Sequence, residues 1–213
     1  MLMMRNVSFA SCFVYSPSGA CAASERSRLL RALLKAGNAR FIFTYAVRVG
    51  QQARELPALT GFFDASAVLV PVPGSEPRLS PIASVTEHLA EALVREGLGR
   101  RAWSGLQRVR AVRKSATADP GERPTVAKHY DSFAVEPTLL FPAPEQFLLI
   151  DDVVTKGRTL LAAATRLREA FPRSRIRAFA LLRTMGLIQD VNQLLDPCVG
   201  EIRWRAGDAH RNP

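Results

Sequence analysis

Two adjacent carboxylates, Asp151 and Asp152, stand at the end of the apolar run QFLLID (146–151), and Thr155, Lys156, Gly157, Arg158 and Thr159 come after Val153 and Val154. The run has the composition of a buried strand, and RTLLAAATRLREAFP (158–172) reads as the helix after it, ended by Pro172. A strand of this kind carries its last residues to the C-terminal edge of a sheet, where α/β proteins bind ligands. The turn then offers the free N–H groups and positive dipole end of a starting helix, which together favour a phosphate. Gly157 allows close approach of the backbone, and the Thr155 and Thr159 hydroxyls add hydrogen bonds. Carboxylates beside such a cradle repel a bare phosphate ester. They suit one that also carries sugar hydroxyls and a magnesium ion. A strand ending in Asp-Asp also fits a Walker B element, but no G-x-x-x-x-G-K-[ST] occurs in the chain. A phospho-receiver pocket would not need T-x-G-x-T, and a purely structural strand–turn–helix has little use for two acids at the strand end.

These residues need a frame to hold them. SERSRLLRALLKAGN is expected to be a helix capped by Ser24 or Ser27, with Leu29, Leu30, Leu33 and Leu34 on one face and Gly37-Asn38 at its end. A second helix is expected from about Arg40 to Leu56, stopped by Pro57. ASAVLVPVP (65–73) reads as a short strand meeting a Pro-Gly turn. The next helix has Ser80 as its cap and Pro81 in its first turn, with Ile82, Val85, Leu89, Ala92 and Leu93 at helical spacing. Residues 100–131 are basic and aperiodic, and we expect a strand from Gly105 to Val112 followed by a long exposed loop. IRAFALLRT (176–184) is a further buried strand. Alternating strands and helices predict an α/β fold, a mostly parallel sheet flanked by helices. The expected division is an N-terminal tail without fixed structure (1–24), a helical segment (25–60), a core (61–186) and a C-terminal extension (187–213).

The segment 146–161 resembles the signature of the type I phosphoribosyltransferases: a hydrophobic run, two acidic residues, two hydrophobic residues, then T-x-G-x-T. The resemblance implies a Rossmann-like core and a site for phosphoribosyl diphosphate (PRPP) with Mg²⁺. Asp151 and Asp152 would contact the ribose hydroxyls and hold the metal through ribose or water. Thr155, Lys156, Gly157, Arg158 and Thr159 would bind the 5′-phosphate. In that family a loop placed like VPVPGSEPR (70–78) cradles the diphosphate, which nominates Gly74, Ser75 and Arg78. The basic stretch stands where the family has a mobile loop, nominating Arg108, Arg110, Arg113 and Lys114. Both segments have plain alternatives, a proline-rich turn and a solvated basic loop.

The ComF-like branch is similar in LLKAGN (33–38), the V-P-V-P step, the R-V-R run and DSFAV (131–135). The chain departs from it in two ways. It has no cysteine-rich zinc module, since Cys12 and Cys21 are too few and too far apart, and PIASVT (81–86) stands where R-G-F-N-Q is common.

Composition limits the setting. The 213 residues hold 29 basic and 19 acidic side chains, a formal charge of +10, which favours anionic partners without choosing among them. Three scattered cysteines exclude a disulfide framework and a zinc ribbon, and a cytoplasmic protein is expected. The apolar character of the first 24 residues is broken by Asn6, Ser8 and Ser11, which argues against a signal peptide, and no apolar run is long enough for a membrane span. His88 is expected on the solvated side of its helix. His129 and Tyr130 are expected to make no substrate contact, His210 falls in the C-terminal tail, and Trp103 and Trp204 are expected to pack.

Three functions stay open. One is a Mg²⁺-dependent phosphoribosyltransferase of nucleotide metabolism, moving ribose 5-phosphate to an unidentified nitrogen acceptor, with Asp152 or Glu145 as candidate base. The second is a PRPP-sensing regulator without turnover. The third is a nucleic-acid-handling protein of the kind linked to DNA uptake. Family members often form homodimers.

Overall fold

The computed structural model describes residues 3–78, 82–113, 123–136, 142–186 and 190–213. The protein is α/β, with a mostly parallel seven-stranded sheet flanked by helices. In chain order the elements are β1 (Asn6–Tyr15), α1 (Ala22–Lys35), α2 (Ala39–Glu55), α3 (Pro57–Thr60), β2 (Val68–Pro71), α4 (Val85–Arg95), β3 (Arg101–Ala102), β4 (Leu106–Arg108), α5 (Val126–Ser132), β5 (Phe133–Val135), β6 (Gln146–Val154), α6 (Arg158–Ala170), β7 (Arg175–Thr184), β8 (Leu195–Arg205) and β9 (Asp208–Asn212).

The large sheet runs β3-β2-β6-β7-β1-β8-β9. The first five strands are parallel, and β8 and β9 continue antiparallel from β1. Strands β4 and β5 form a separate antiparallel pair. Parallel strands covered on both faces must be apolar on both, and β6 shows it. Phe147 and Leu149 pack in the cluster that contains α6, while Leu148 and Ile150 pack in the cluster formed with α1, α2 and α4.

The expected N-terminal tail is overturned. Asn6–Tyr15 is a strand between β7 and β8, with Phe9 and Phe13 almost wholly buried. Small polar residues disguise its pattern, because Ser11 sits in the core and is satisfied by Arg183 and Cys198. The C-terminal extension is likewise two strands of the same sheet.

Other boundaries shift for local reasons. Helix α1 starts earlier than expected, capped by the Cys21 side chain, and only Leu30 and Leu34 of its leucines are buried, Leu29 and Leu33 being exposed. Helix α4 starts at Val85, because Ser84 and Glu87 form a reciprocal capping box there. Ile82 is exposed ahead of it, and the expected cap Ser80 and first-turn Pro81 lie outside the described residues. The strand expected over 105–112 is confined to Leu106–Arg108. Trp103 packs in the core against Phe147 and Phe171, each ring pair 5.9 Å apart. Among the described residues, no helix is long and apolar enough to cross a membrane.

Candidate functional site

Strand parity separates the two carboxylates. Successive side chains on a strand alternate faces, which places Asp151 with Phe147 and Leu149 toward α6 and Asp152 with Leu148 and Ile150 toward α1. Asp152 is buried and forms an ion pair with Lys35, the last residue of α1. The main chain serves both acids: Asp152 N–H donates to Asp151 Oδ1 and Val153 N–H to Asp152 Oδ1, each at 2.9 Å. Burial first, then the neighbouring Asp152 charge, pushes the Asp151 carboxyl above the ordinary carboxylate range, with Lys35 pulling it back.

After Val154 the chain turns through exposed Thr155 and Lys156 to Gly157, which caps α6 in the left-handed conformation at φ 85°. A Cβ at this position would lie 2.6 Å from Ile202 Cδ1 on β8. Glycine is therefore required twice, by the backbone angle and by the space. Thr155 Oγ1 lies 3.3 Å from Thr184 Oγ1 at the end of β7, so the hydroxyl stands at the shared edge of β6 and β7.

The two cationic side chains of the turn share one partner. Arg158 donates from Nε to Asp208 Oδ1 and from Nη2 to Asp208 Oδ2, both at 2.6 Å, and Lys156 Nζ lies 3.4 Å from Oδ2. The Arg158 hydrogen bond and charge hold the Asp208 carboxyl down at about 2. Arg158 Nη1 also donates to the carbonyls of Arg123 and Pro124, joining the turn to the segment before α5. Asp208 follows Ala206 and Gly207, whose positive φ angles of 50° and 79° make the tight β8–β9 hairpin turn.

Among the residues nominated for diphosphate, Gly74 and Ser75 lie in the loop after β2, Gly74 exposed and Ser75 half-buried. Arg78 is held by Glu87 at 2.5 Å, in the first turn of α4. Arg108 is buried, and its guanidinium is spent on the fold: Nε donates to the Gly74 carbonyl at 2.7 Å, Nη2 to the Pro73 carbonyl at 3.3 Å, and Nη1 to Ser132. It also lies 4.0 Å from the centre of the Phe133 ring. Burial pulls the Arg108 pKa down to about 10, still charged at neutral pH. It therefore shapes the 73–75 loop from behind. Arg110 and Arg113 are exposed and, with Lys128 and Asp131, line a surface cavity of about 600 Å³. Lys114 lies outside the described residues.

Two expectations are corrected. Glu145 precedes β6 and lies at the opposite end of that strand from Asp151, about 20 Å away at the usual rise per residue, so it cannot serve as a base there. His88 is half-buried, with Nδ1 enclosed. Sequence reasoning also missed Lys35, Asp208 and Ile202 as neighbours of the site, and it expected no substrate contact from His129. They approach from α1, α5 and the β8–β9 hairpin, and no local pattern marks them. Tyr130 is structural: its hydroxyl donates to Glu169, and Arg166 stacks 3.7 Å from its ring.

Among the described residues, no group of three or more His, Cys, Asp or Glu side chains could hold a metal ion by itself. Because they leave β6 on opposite faces, Asp151 and Asp152 could meet Mg²⁺ only through water or substrate oxygens, which this ion commonly keeps as ligands. Neither a family model nor a curated protein matches the chain.

Proposed function

We propose that the protein binds PRPP at the C-terminal edge of β6 and transfers its ribose 5-phosphate group to a nitrogen acceptor, releasing diphosphate. The observation that carries this reading is the union of two acids ending β6 with a left-handed Gly157 that opens α6 onto an exposed Thr155-Lys156 turn. In this reading the turn and the start of α6 bind the 5′-phosphate, and Asp151 and Asp152 take the ribose hydroxyls. The loop around Gly74 and Ser75, held from below by Arg108, receives the diphosphate. Asp151 and Asp152 would hold Mg²⁺ through ribose hydroxyls or water, and the ion would supply neutralising charge for the departing diphosphate. The acceptor nitrogen attacks C1 as the bond to the diphosphate oxygen breaks, and the protein's part is to fix the ribose and stabilise the charge that leaves. Lys35 pairs with the buried Asp152 carboxylate from the end of α1.

The test is calorimetric titration of PRPP with Mg²⁺ into the wild type and the Asp151→Asn/Asp152→Asn variant. Saturable, Mg²⁺-dependent binding that the variant loses supports the site. A panel of nitrogen acceptors, read by diphosphate release, then separates a transferase from a PRPP-sensing regulator. Absence of PRPP binding in the wild type sinks both. Salt-sensitive binding of single-stranded DNA would then favour a nucleic-acid role for the basic surface.

A further inference from the structure

His129 is the one imidazole placed between the two loops of the proposed site, and it is buried. It sits on α5 behind the T-x-G-x-T turn, stacked near Phe133 with ring centres 6.5 Å apart. Its Nδ1 is 3.5 Å from Arg108 Nη1, and its Nε2 is 3.4 Å from Thr159 Oγ1. Arg108 in turn donates to the carbonyls of Pro73 and Gly74. A guanidinium has donors and no acceptor. Nδ1 facing it must therefore offer a lone pair, which leaves the ring proton on Nε2, directed at the Thr159 oxygen. A hydroxyl that accepts there turns its own proton elsewhere.

We propose that His129 is a positioning residue, a neutral Nε2–H imidazole whose hydrogen bond commits the Thr159 hydroxyl to donate to the phosphate bound by the turn, and which links that turn to the 73–75 loop through Arg108. This rests on the phosphate reading of residues 155–159. The direction of every bond in the chain is then determined: Arg108 to His129, His129 to Thr159, Thr159 to a phosphate oxygen, which at neutral pH accepts from all donors. Burial, reinforced by the Arg108 and Arg158 charges, holds the His129 pKa down at about 4, so the ring stays neutral where phosphate is dianionic. Protonated, it would donate from both nitrogens and face Arg108 with no acceptor.

The experiment is a double-mutant cycle read by calorimetric titration of ribose 5-phosphate into wild type, His129→Phe, Thr159→Val and the double variant. Each single substitution should weaken binding about tenfold, the usual scale for a hydrogen bond to a charged group, and the double should be no weaker than Thr159→Val alone. His129→Gln, whose amide can accept from Arg108 and donate to Thr159, should stay within about threefold of wild type. Additive losses in the double variant, or unaltered binding by a folded His129→Phe, would overturn the proposal. Nitrogen-15 spectra of the wild-type imidazole give a test that needs no variant to fold. An Nε2–H tautomer at neutral pH is expected, and an Nδ1–H tautomer or an imidazolium overturns the assignment. If wild type binds no ribose 5-phosphate, the phosphate reading itself falls. Binding with an additive cycle removes only the role of His129.

Discussion

Asp208 grips Arg158 with both carboxylate oxygens, each at 2.6 Å, across fifty positions of sequence. The pair ties the β8–β9 hairpin to the first residue of α6, and both side chains are mostly shielded. A two-point fork of this kind is worth more than a loose surface pair, about 1–2 kcal/mol. Asp208→Asn should therefore lower the melting temperature by about 2–8 °C in a chain of this size. Differential scanning calorimetry measures it directly, and an unchanged melt would show that the fork contributes nothing to stability.

The same pair sets part of the acid limit of stability. Arg158 holds Asp208 at about 2 when folded, against about 4 in an unfolded chain. A depressed carboxylate contributes stability above its unfolded pKa and loses it as pH falls toward its folded one. The gap between wild-type and Asp208→Asn urea midpoints should be constant above about pH 5 and should close as pH falls to about 2. A gap that does not narrow would place the stabilisation in something other than the ionised fork.

Removing Lys35 strips the buried Asp152 of its cation. The lysine is half exposed (51%), so water screens the pair and the coupling should be modest, about 1 kcal/mol. Urea unfolding of Lys35→Met, Asp152→Asn and the double variant should show it as non-additivity of that size. Lys35→Met should also weaken Mg²⁺–PRPP binding less than Asp152→Asn does, because the lysine acts through the carboxylate. The reverse order would mean that Lys35 itself meets the ligand.

Gly157→Ala meets two penalties at one atom. The left-handed backbone costs an alanine about 1–2 kcal/mol, and the new Cβ lies 2.6 Å from Ile202, an overpacking worth about 1–3 kcal/mol more. A total loss of about 2–5 kcal/mol is expected from urea unfolding. Adding Ile202→Ala should relieve the steric part only, so the double variant should lose less than the two singles summed. Strict additivity would show that Ile202 yields without cost.

Strands β6 and β7 and helices α2 and α6 were legible because each is locally consistent: an unbroken apolar run, or a helical period with a clear stop at Pro57 or Pro172. The acids and the T-x-G-x-T turn were legible for the same reason, since strand, turn and helix start fall within one short stretch. Strand β1 was not. Ser8 and Ser11 break its apolar pattern, and Ser11 is tolerated in the core only because Arg183 and Cys198 reach it from other strands. The family resemblance nominated Arg108 as a diphosphate contact, yet burial and the carbonyls of Pro73 and Gly74 make it a brace.

The chain's local order thus determined the α/β class and the strand–turn–helix proposed to meet a phosphate, because hydrophobic periodicity, capping and glycine geometry act over a few neighbouring positions. Tertiary structure alone decided what stands behind them: Lys35 on Asp152, His129 between Arg108 and Thr159, Asp208 on Arg158 and Ile202 over Gly157. Those contacts join residues far apart in sequence, and a charge or an imidazole acquires its partner only when packing of the sheet and helices brings the two within a few ångströms.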